Sequence, residues 1–507
     1  MTAFITTPIF YANGAPHLGH AYSGILADIL HRYALVRGQD CRLITGTDEH
    51  GQKIAKAAAV ANEEVQSFVD GKSAVFQSLW PSLGIDVSQF IRTTEPQHQA
   101  HVKRVWEKLA AQGDIQLGSY GGLYCVGCEQ YYVERDLVDG NCPVHLTPAQ
   151  QVEEETYLFD LEKYRARLLT YYQQNPGVIT PHHFQASIMS QLEKPLEPLS
   201  ISRFQHCWGV EVPDNQTHTI YVWIDALFSY LTAIEKEGNT AEALENTTHV
   251  IGKDILQFHA VYWPIFLLAL GLPLPKRLLV HGWWTINGHK ISKSIPETTV
   301  HPSSFAQALS EDGLRYALVR QKPAHRDGNL SLDELSEVIN ADLANNFANL
   351  VKRNNTLILK YFSGRLPAYS RAALDESTKV LFDSANSTLR AVEEAYQNGD
   401  VYQVTLFLRR LTDDLNNYFH HRAPWLIHKT LSADHVAQTC AVIAHFVQLL
   451  ARCYYPITPR LAIRVLKEFG VSLEGEISMP SHIEPVEIGT ADSHFERIFA
   501  SKHAEIS

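Results

Sequence analysis

The sequence predicts an α/β protein with a doubly wound, Rossmann-like parallel sheet, split by an insertion and followed by an α-helical bundle. Apolar strand-like segments alternate with helical patterns over residues 1–112, which is typical of a parallel sheet. The alternation stops near residue 113 and resumes near residue 214, which indicates the insertion. Between residues 333 and 470, leucine and valine recur at three- and four-residue spacing, which indicates a bundle.

The individual elements follow from local composition. Strands are predicted at 4–9, 41–45, 90–93, 219–223, 249–252 and 277–281, and helices at 24–36, 51–79, 95–112, 224–236 and 254–269. We predict five regions: a Rossmann-like domain at 1–112 and 214–290, an inserted connective domain at 113–213, a connecting segment at 291–339, a helical domain at 340–470 and a C-terminal tail at 471–507.

The composition of the 507 residues is that of a globular protein, with 45% hydrophobic and 19% charged residues. No apolar run reaches the roughly 18–20 residues that span a bilayer, because Trp263-Pro264 interrupts the run at 261–272. The N-terminus lacks a signal-peptide pattern, and seven cysteines without a disulfide framework fit a reducing cytosol, so we expect a cytoplasmic protein without a membrane partner. The net charge of −12 weighs mildly against a nucleic-acid partner, although an acidic protein can carry local basic stripes.

Four side chains have the spacing of a structural zinc site. Cys125 and Cys128 are followed, after thirteen residues, by Cys142 and His145, which together supply four tetrahedral ligands. Two coincidental pairs of buried thiols are the alternative, and a redox C-x-x-C pair would leave Cys142 and His145 unexplained. Because all four positions are filled by protein, one structural zinc ion is expected in the insertion.

Two short motifs suggest a nucleotide site. Pro16-His17-Leu18-Gly19-His20 lies between a predicted strand and a helical stretch at 21–33, and Lys290-Ile291-Ser292-Lys293-Ser294 lies far along the chain. Each motif alone is weak, because the alternatives are a structural histidine at His17 and a solvated charge at Lys290. Together and in this order they resemble the HIGH and KMSKS signatures of class I aminoacyl-tRNA synthetases. That resemblance implies attack of an amino-acid carboxylate on the α-phosphate of ATP.

Further segments resemble methionyl-tRNA synthetases, over residues 1 to about 480. They are Tyr11-Ala12-Asn13-Gly14, Thr45-Gly46-Thr47-Asp48-Glu49-His50-Gly51, Ser200-Ile201-Ser202-Arg203, Trp208-Gly209, Tyr221-Val222-Trp223-Ile224-Asp225-Ala226, Gly252-Lys253-Asp254-Ile255, Phe258-His259, Asn340-Ala341-Asp342-Leu343-Ala344-Asn345 and Ala423-Pro424-Trp425. The methionine pocket implied by the resemblance consists of Pro8, Ile9, Tyr11, Asp48, Trp223, Leu227, Tyr230, Ile255 and His259. Aromatic and aliphatic walls suit a thioether, although ordinary core packing is the alternative for most of these side chains.

The resemblance also assigns roles in adenylate formation. His17 and His20 would donate to phosphates, and Gly19 would let the adenine or ribose lie against the backbone. Lys290 and Lys293 would close over the β- and γ-phosphates. Asp254 would lie near the ribose hydroxyls, and Asp48 would hold the substrate ammonium. Mg²⁺ is expected with ATP, bound through the phosphates.

The implied second substrate is tRNA(Met), for which Asn349, Arg353 and Trp425 match the family's anticodon-reading positions. Leu18 and Ile291 replace isoleucine and methionine of the two signatures, and both are apolar substitutions at positions that should pack. Because the chain lacks the family's C-terminal oligonucleotide-binding extension, we expect a monomer. The alternatives are a cysteine or branched-chain synthetase, a non-catalytic tRNA-binding paralogue and a smaller nucleotidylyltransferase.

Overall fold

The computed structural model describes residues 2–125, 130–132, 134, 137–143, 147–204, 207–235, 238, 240–286, 289–291, 301–426, 431–473, 482–489 and 495–498. The chain divides into two compact units. The first unit comprises residues 1–16, 40–81 and 86–281, and the second comprises residues 17–39, 82–85 and 282–507.

The first unit is built on a six-stranded parallel sheet, as predicted. From one edge to the other the strands are Gln89–Arg92, Cys41–Asp48, Ala3–Tyr11, Thr247–Gly252, Arg277–His281 and Ile179–Thr180. The strand order reverses between Ala3–Tyr11 and Thr247–Gly252. The strands that follow each of these two in sequence are added on opposite sides of the sheet. Ligands of doubly wound folds bind at the carboxyl ends of strands at such a point, which lies here beside Tyr11 and Gly252.

The predicted sheet strand at 219–223 is wrong. The structure has a strand at Asn215–Ile220, which pairs antiparallel with Ser202–Phe204 and Glu211–Val212 in a separate small sheet. Trp223 instead belongs to the helix Val222–Glu235. The sixth strand of the parallel sheet comes from the predicted insertion, because Ile179–Thr180 pairs with Arg277–His281.

The rest of the first unit is helical or antiparallel. Ile115–Cys125 and Gln150–Phe159 form a long antiparallel ribbon, flanked by Gln130–Tyr132 and Leu199–Ser200. The α-helices are Gln52–Ala61, Val65–Ser82, Pro96–Ala111, Glu162–Gln174, His182–Leu192, Val222–Glu235, Thr240–Glu245 and Trp263–Leu270.

Two predicted helices are divided in the structure. The pattern at 51–79 forms two helices, because Asn62 ends the first one in the left-handed conformation with φ 56°. The pattern at 254–269 contains a 3₁₀ turn at Lys253–Ile255, a π-helical turn at Phe258–Tyr262 and the α-helix Trp263–Leu270. π-Helical turns occur frequently at functional sites, and this one carries His259.

The second unit contains the helix Leu18–Val36, small β-pairs and the predicted bundle. Its further α-helices are Pro302–Leu309, Glu311–Arg320, Leu332–Ile339, Asn349–Phe362, Glu376–Gln397, Val401–Arg422, Ala433–Tyr454 and Pro459–Glu468, with a π-helical stretch at Asn340–Ala348 and 3₁₀ turns at Arg371–Ala373 and Pro424–Leu426. Its strands are Trp284–Ile286, His289–Lys290, Gly328–Asn329, Arg365–Leu366, Tyr369–Ser370, His482–Ile483 and Val486–Glu487.

One helix of this bundle, Ala433–Tyr454, has the length and mean hydropathy (1.4) of a membrane span. Its most apolar window is 78% buried within the protein, which is the packing of a core helix.

A buried ion pair anchors the helix Leu18–Val36 within the second unit. The Arg315 guanidinium lies 2.6 Å from the Asp28 carboxylate, and both side chains are fully buried. Arg32 contacts the same carboxylate at 2.7 Å, and Arg315 also donates to the carbonyls of Pro456 and Ile457. Because these contacts compensate the desolvation of both charges, the helix that carries the histidine signature is held in one orientation within its unit.

Candidate active site

Two predicted methionine-binding residues end neighbouring strands of the first unit. Tyr11 and Asp48 are register partners, and the Ala12 amide donates to the Asp48 carbonyl at 2.9 Å. Asp48 is 4% exposed. The first strand is irregular between Thr6 and Ile9, at buried Pro8, and the half-buried Ile9 lies over Gly46. Pro8, Ile9, Tyr11 and Asp48 therefore lie along the carboxyl ends of two adjacent strands.

The residue after Asp48 belongs to a buried ion pair that the sequence did not reveal. Glu49 is fully buried, and its carboxylate binds Arg92 through two hydrogen bonds of 2.8 and 2.9 Å. Thr47 and Thr94 donate to the same carboxylate at 2.6 and 2.5 Å. Because this charge is fully compensated, the end of the strand carrying Asp48 is fixed in position.

The next residue, His50, contacts residues from two distant sequence segments, Asp225 and Trp208. Asp225 lies between His50 and His98, at 2.6 and 2.9 Å, and although burial alone would raise the pKa of Asp225, the two histidines lower it to about 2. The Trp208 ring packs on His50, and its indole N–H donates to the Glu49 carbonyl at 2.6 Å. The Thr-Asp-Glu-His-Gly and Trp-Gly segments therefore form one contact region.

The helix Val222–Glu235 presents one face toward the predicted methionine pocket. Trp223, Leu227 and Tyr230 are spaced i, i+4 and i+7, which places them on the same side of the helix. Trp223 stacks on Phe258 with ring centroids 3.7 Å apart. Tyr11, Trp223 and Ile255 pack against the main hydrophobic core of this unit, which contains Leu227 and Tyr230. Five of the predicted pocket residues therefore contribute to this core.

A chain of hydrogen bonds fixes the protonation of the two histidines beside this core. The Trp263 indole N–H donates to His249 Nε2 at 3.2 Å, so His249 Nδ1 carries the proton that it donates to Thr6 at 2.7 Å. Similarly, His259 Nδ1–H donates to the Ile255 carbonyl at 3.0 Å, so His259 Nε2 accepts from the Tyr230 hydroxyl at 2.8 Å.

Burial keeps both imidazoles neutral. It lowers the pKa of His259 to about 4, and burial together with the neighbouring His259 lowers the pKa of His249 well below its usual range. Since both ring nitrogens of His259 are engaged by Tyr230 and Ile255, this histidine has no remaining N–H for a thioether. It orients the Tyr230 hydroxyl and supplies a neutral wall.

Asp254 lies at the switch point of the sheet. It follows the strand Thr247–Gly252 on the 3₁₀ turn Lys253–Ile255 and is exposed. A Cβ on Gly252 would come within 2.6 Å of Asp254 Oδ1, so a larger residue there would displace this carboxylate. An exposed carboxylate at this edge can accept hydrogen bonds from a ribose.

The first signature caps the helix Leu18–Val36 in the second unit. The Gly19 amide donates to His17 Nδ1 at 3.1 Å, and the His17 amide donates to His20 Nδ1 at 2.9 Å. The two rings stack with centroids 3.7 Å apart. Because both Nδ1 atoms accept, the neutral rings carry their protons on Nε2, which is the arrangement of a hydrogen-bond donor pair.

The structure gives a reason for Gly19 within the chain itself. A Cβ at this position would lie 3.0 Å from Cε1 and 3.1 Å from Nδ1 of His17. A side chain at residue 19 would therefore force the ring of the capping histidine to shift by a few tenths of an ångström. Leu18 is 1% exposed and Ile291 is 3% exposed, which confirms that both substituted signature positions pack.

The second signature begins in a hairpin of the second unit. His289–Lys290 pairs with Trp284–Ile286, and the Ile291 amide donates to the Trp284 carbonyl. The Lys290 side chain and all of Lys293 lie outside the described residues.

Lys322, which no sequence motif indicates as a functional residue, is a buried cation beside the histidine helix and the lysine hairpin. Lys322 is 6% exposed, and its ammonium lies 4.5 Å from the Tyr22 ring and 4.9 Å from the Trp284 ring. Tyr22 and Trp284 also contact each other edge-on. The histidine helix and the lysine hairpin are thus joined through Lys322 within one unit.

The predicted anticodon residues come together on the bundle. The Arg353 guanidinium lies 5.5 Å from the Trp425 ring centroid and 5.2 Å from that of Phe419. Trp425 is 39% exposed on the turn Pro424–Leu426. Asn349, one helical turn before Arg353, is exposed. An exposed indole beside a guanidinium and an amide is suited to stacking on and hydrogen bonding to unpaired bases.

Two of the predicted zinc ligands are described, and Cys128 and His145 lie outside the described residues. Cys125 ends the strand Ile115–Cys125 and is 1% exposed, and Cys142 is fully buried. The Cys142 amide donates to the Thr147 carbonyl at 2.8 Å. Two buried thiols suit half of a tetrahedral site.

Comparisons with known proteins agree with this geometry. Residues 3–152 and 145–355 match the family described as "tRNA synthetases class I (M)". The methionine–tRNA ligase of Bacillus subtilis is 37% identical over 93% of this chain and 74% of its own length, and that of Rickettsia felis is 36% identical over 93% of both chains. The structure of Mycobacterium tuberculosis methionyl-tRNA synthetase in complex with methionyl-adenylate superposes with a TM-score of 0.91, at 34% identity, over 98% of this chain and 100% of the other. The chain belongs to the methionine–tRNA ligase family of class I aminoacyl-tRNA synthetases.

Proposed function

We propose that this protein activates L-methionine with ATP, forming methionyl-adenylate and pyrophosphate, and transfers the methionyl group to the 3′ end of tRNA(Met) for initiation and elongation. The main support is the structural similarity of 98% of this chain to a methionyl-tRNA synthetase in complex with methionyl-adenylate. The aromatic and aliphatic side chains of Tyr11, Trp223, Leu227, Tyr230 and Ile255, which contribute to the core of the first unit, support methionine as the amino acid.

Adenylate formation needs positioning and charge stabilisation rather than a protein nucleophile. The methionine carboxylate attacks the α-phosphorus, a new P–O bond forms, and the bond to pyrophosphate breaks. The Nε2–H groups of His17 and His20 would donate to phosphate oxygens, and Asp48 would bind the methionine ammonium. Lys290 and Lys293 would neutralise the departing pyrophosphate, which Mg²⁺ accompanies as part of the ATP substrate.

Methionine-dependent ATP–pyrophosphate exchange tests this function directly. Purified protein should catalyse exchange with L-methionine and with no other standard amino acid. Exchange with cysteine or a branched-chain amino acid instead would refute the assigned specificity. Absence of exchange from folded protein would refute the enzymatic function.

Recognition of tRNA(Met) is proposed to depend on Asn349, Arg353 and Trp425 at the anticodon. The Arg353–Trp425 contact supports this role, because it presents a planar cation beside an exposed indole. Aminoacylation of tRNA(Met) transcripts with altered anticodon bases tests this recognition. The wild-type protein should charge such transcripts poorly.

One structural zinc ion is proposed on Cys125, Cys128, Cys142 and His145. The buried thiols of Cys125 and Cys142 support it, and thiolate ligation would stabilise the antiparallel part of the first unit. Elemental analysis of purified protein should give one zinc per chain, and Cys142→Ser should lower both the zinc content and the unfolding temperature. Cys440→Ser, at another buried thiol, is the matched control and should keep its zinc.

We further propose that the protein is a cytoplasmic monomer. Cellular fractionation and light scattering at micromolar concentration measure these two properties, and a particle of twice the 57.1 kDa chain mass would exclude the monomer.

A further inference from the structure

The first unit contains an aromatic cavity that none of the assigned roles uses. It has a volume of about 390 Å³, within the range of small-ligand sites. Its wall includes Tyr120, Tyr131, Arg203, Gln257 and Tyr262. Five tyrosines and one arginine line the cavity, and aromatic rings and guanidinium groups are the groups that stack on a planar heterocycle.

Arg203 is the polar centre of this cavity. Its guanidinium lies 4.3 Å from the Tyr221 ring centroid and 5.3 Å from that of Tyr131, and its Nη1 donates to Ser200 and to the Ser202 carbonyl. The Arg203 side chain is 12% exposed. Its Nε is buried and has no hydrogen bond of good geometry within the part of the chain that the structure describes, and the Tyr124 ring lies 5.4 Å from the guanidinium. A ligand with an in-plane acceptor would satisfy this donor.

The charges around the cavity favour a base over a phosphate. Glu154 accepts a hydrogen bond from Tyr131 at 2.6 Å and lies 3.9 Å from Arg203. Lys194 and Glu197 both line the opening, so the positive and negative charges are balanced there. An uncharged aromatic ring with acceptor nitrogens therefore fits better than an anion, whose desolvation this wall would not compensate.

The cavity shares a wall with the predicted methionine pocket. Phe258 stacks on Trp223 at 3.7 Å and meets the Tyr262 ring edge-on at 5.4 Å. Gln257, next to Phe258, donates to the Tyr262 hydroxyl at 3.0 Å. A ligand in the cavity would therefore lie one layer of rings away from the bound amino acid.

We propose that this cavity binds the adenine of the 3′-terminal adenosine of tRNA(Met). The proposal rests on the proposed function, because the terminal ribose hydroxyl must reach the methionyl carbonyl during transfer. The adenine would stack on the face of Tyr120, whose ring meets that of Tyr131 edge-on with centroids 4.8 Å apart, and one of its ring nitrogens would accept from Arg203 Nε. The cavity thus holds the reacting end of the tRNA beside the amino acid.

Binding is tested with tRNA(Met) carrying 2-aminopurine in place of the terminal adenine. The wild-type protein should quench its fluorescence, because stacking on tyrosine quenches this base. Tyr120→Leu should abolish the quenching and raise the KM for tRNA by about tenfold or more, in line with the loss of one base–aromatic stack. Tyr120→Phe keeps the ring and should behave as wild type, and Arg203→Lys should raise the KM for tRNA while retaining the positive charge.

Three results would overturn the proposal. Unchanged quenching and charging in Tyr120→Leu would show that the base lies elsewhere. An equal loss of ATP–pyrophosphate exchange, which needs no tRNA, would show that Tyr120 only supports the fold. Loss of quenching on adding free AMP at the concentration of the tRNA would assign the cavity to free nucleotides. Failure of the wild-type protein to charge tRNA would refute the proposed function separately, because the fluorescence measurement does not depend on charging.

Discussion

Tyr230→Phe tests whether the hydrogen-bond chain in the first unit shapes the methionine site. The substitution keeps the buried ring, which lies 4.4 Å from His249, and removes only the hydroxyl that donates to His259 Nε2 at 2.8 Å. A buried acceptor that loses its donor costs about 1–3 kcal/mol. Because Tyr230 and His259 belong to the predicted pocket wall, part of this cost should appear as weaker methionine binding.

We expect the KM for methionine in ATP–pyrophosphate exchange to rise roughly 5- to 30-fold, which corresponds to about 1–2 kcal/mol. The KM for ATP should stay within about twofold of wild type, because the lost hydroxyl serves the amino-acid side of the site. Tyr396→Phe is the matched control, since its buried hydroxyl donates to the Cys453 carbonyl at 2.8 Å in the other unit. If both variants lose stability and neither changes the KM for methionine, the hydrogen-bond chain is purely structural and our reasoning is wrong.

Three further predictions concern the other parts of the chain. Trp425→Ala should leave exchange intact and lower tRNA charging at least tenfold, whereas an equal loss of both activities would make Trp425 structural. Gly19→Ala should lower the rate of exchange about tenfold, because the new Cβ displaces the His17 ring, and unchanged exchange would contradict the cap geometry. The unfolding temperature should fall as pH falls from about 6.5 toward 4, because buried His249, His259 and His445 stay neutral in the folded state while unfolded histidines take up protons; a flat profile would contradict these lowered pKa values.

The parallel sheet could be predicted because its strands are short apolar runs bounded by turns. The failure at Trp223 has a local cause: Tyr221-Val222-Trp223-Ile224 has strong β-propensity, yet the residues after Ile220 continue as a helix. The stack of Trp223 on Phe258 belongs to that helical conformation. Tertiary contacts of Trp223 therefore override the local β-propensity of this segment.

The candidate site was predictable only in part, for a related reason. Residues such as Asp48 and Tyr230 could be assigned through motifs that resemble a family. Lys322 and Arg203 could not, because their roles depend on ring contacts with Trp284 and Tyr221, which no local periodicity indicates. Long-range partners of single charged residues are visible only after folding.

The structure also explains why histidines, rather than lysines, form the first signature. His17 and His20 each use Nδ1 to accept a backbone amide of the same helix start, and lysine has no acceptor for this purpose. Protonation of Nδ1 would break the caps, so helix capping keeps the neutral tautomer with Nε2–H. The backbone amides thus orient each imidazole ring and its Nε2–H donor, and no further side chain is needed for this. The capping bonds therefore leave the Nε2–H groups of both rings as the donors that the predicted phosphate-binding role of the signature requires.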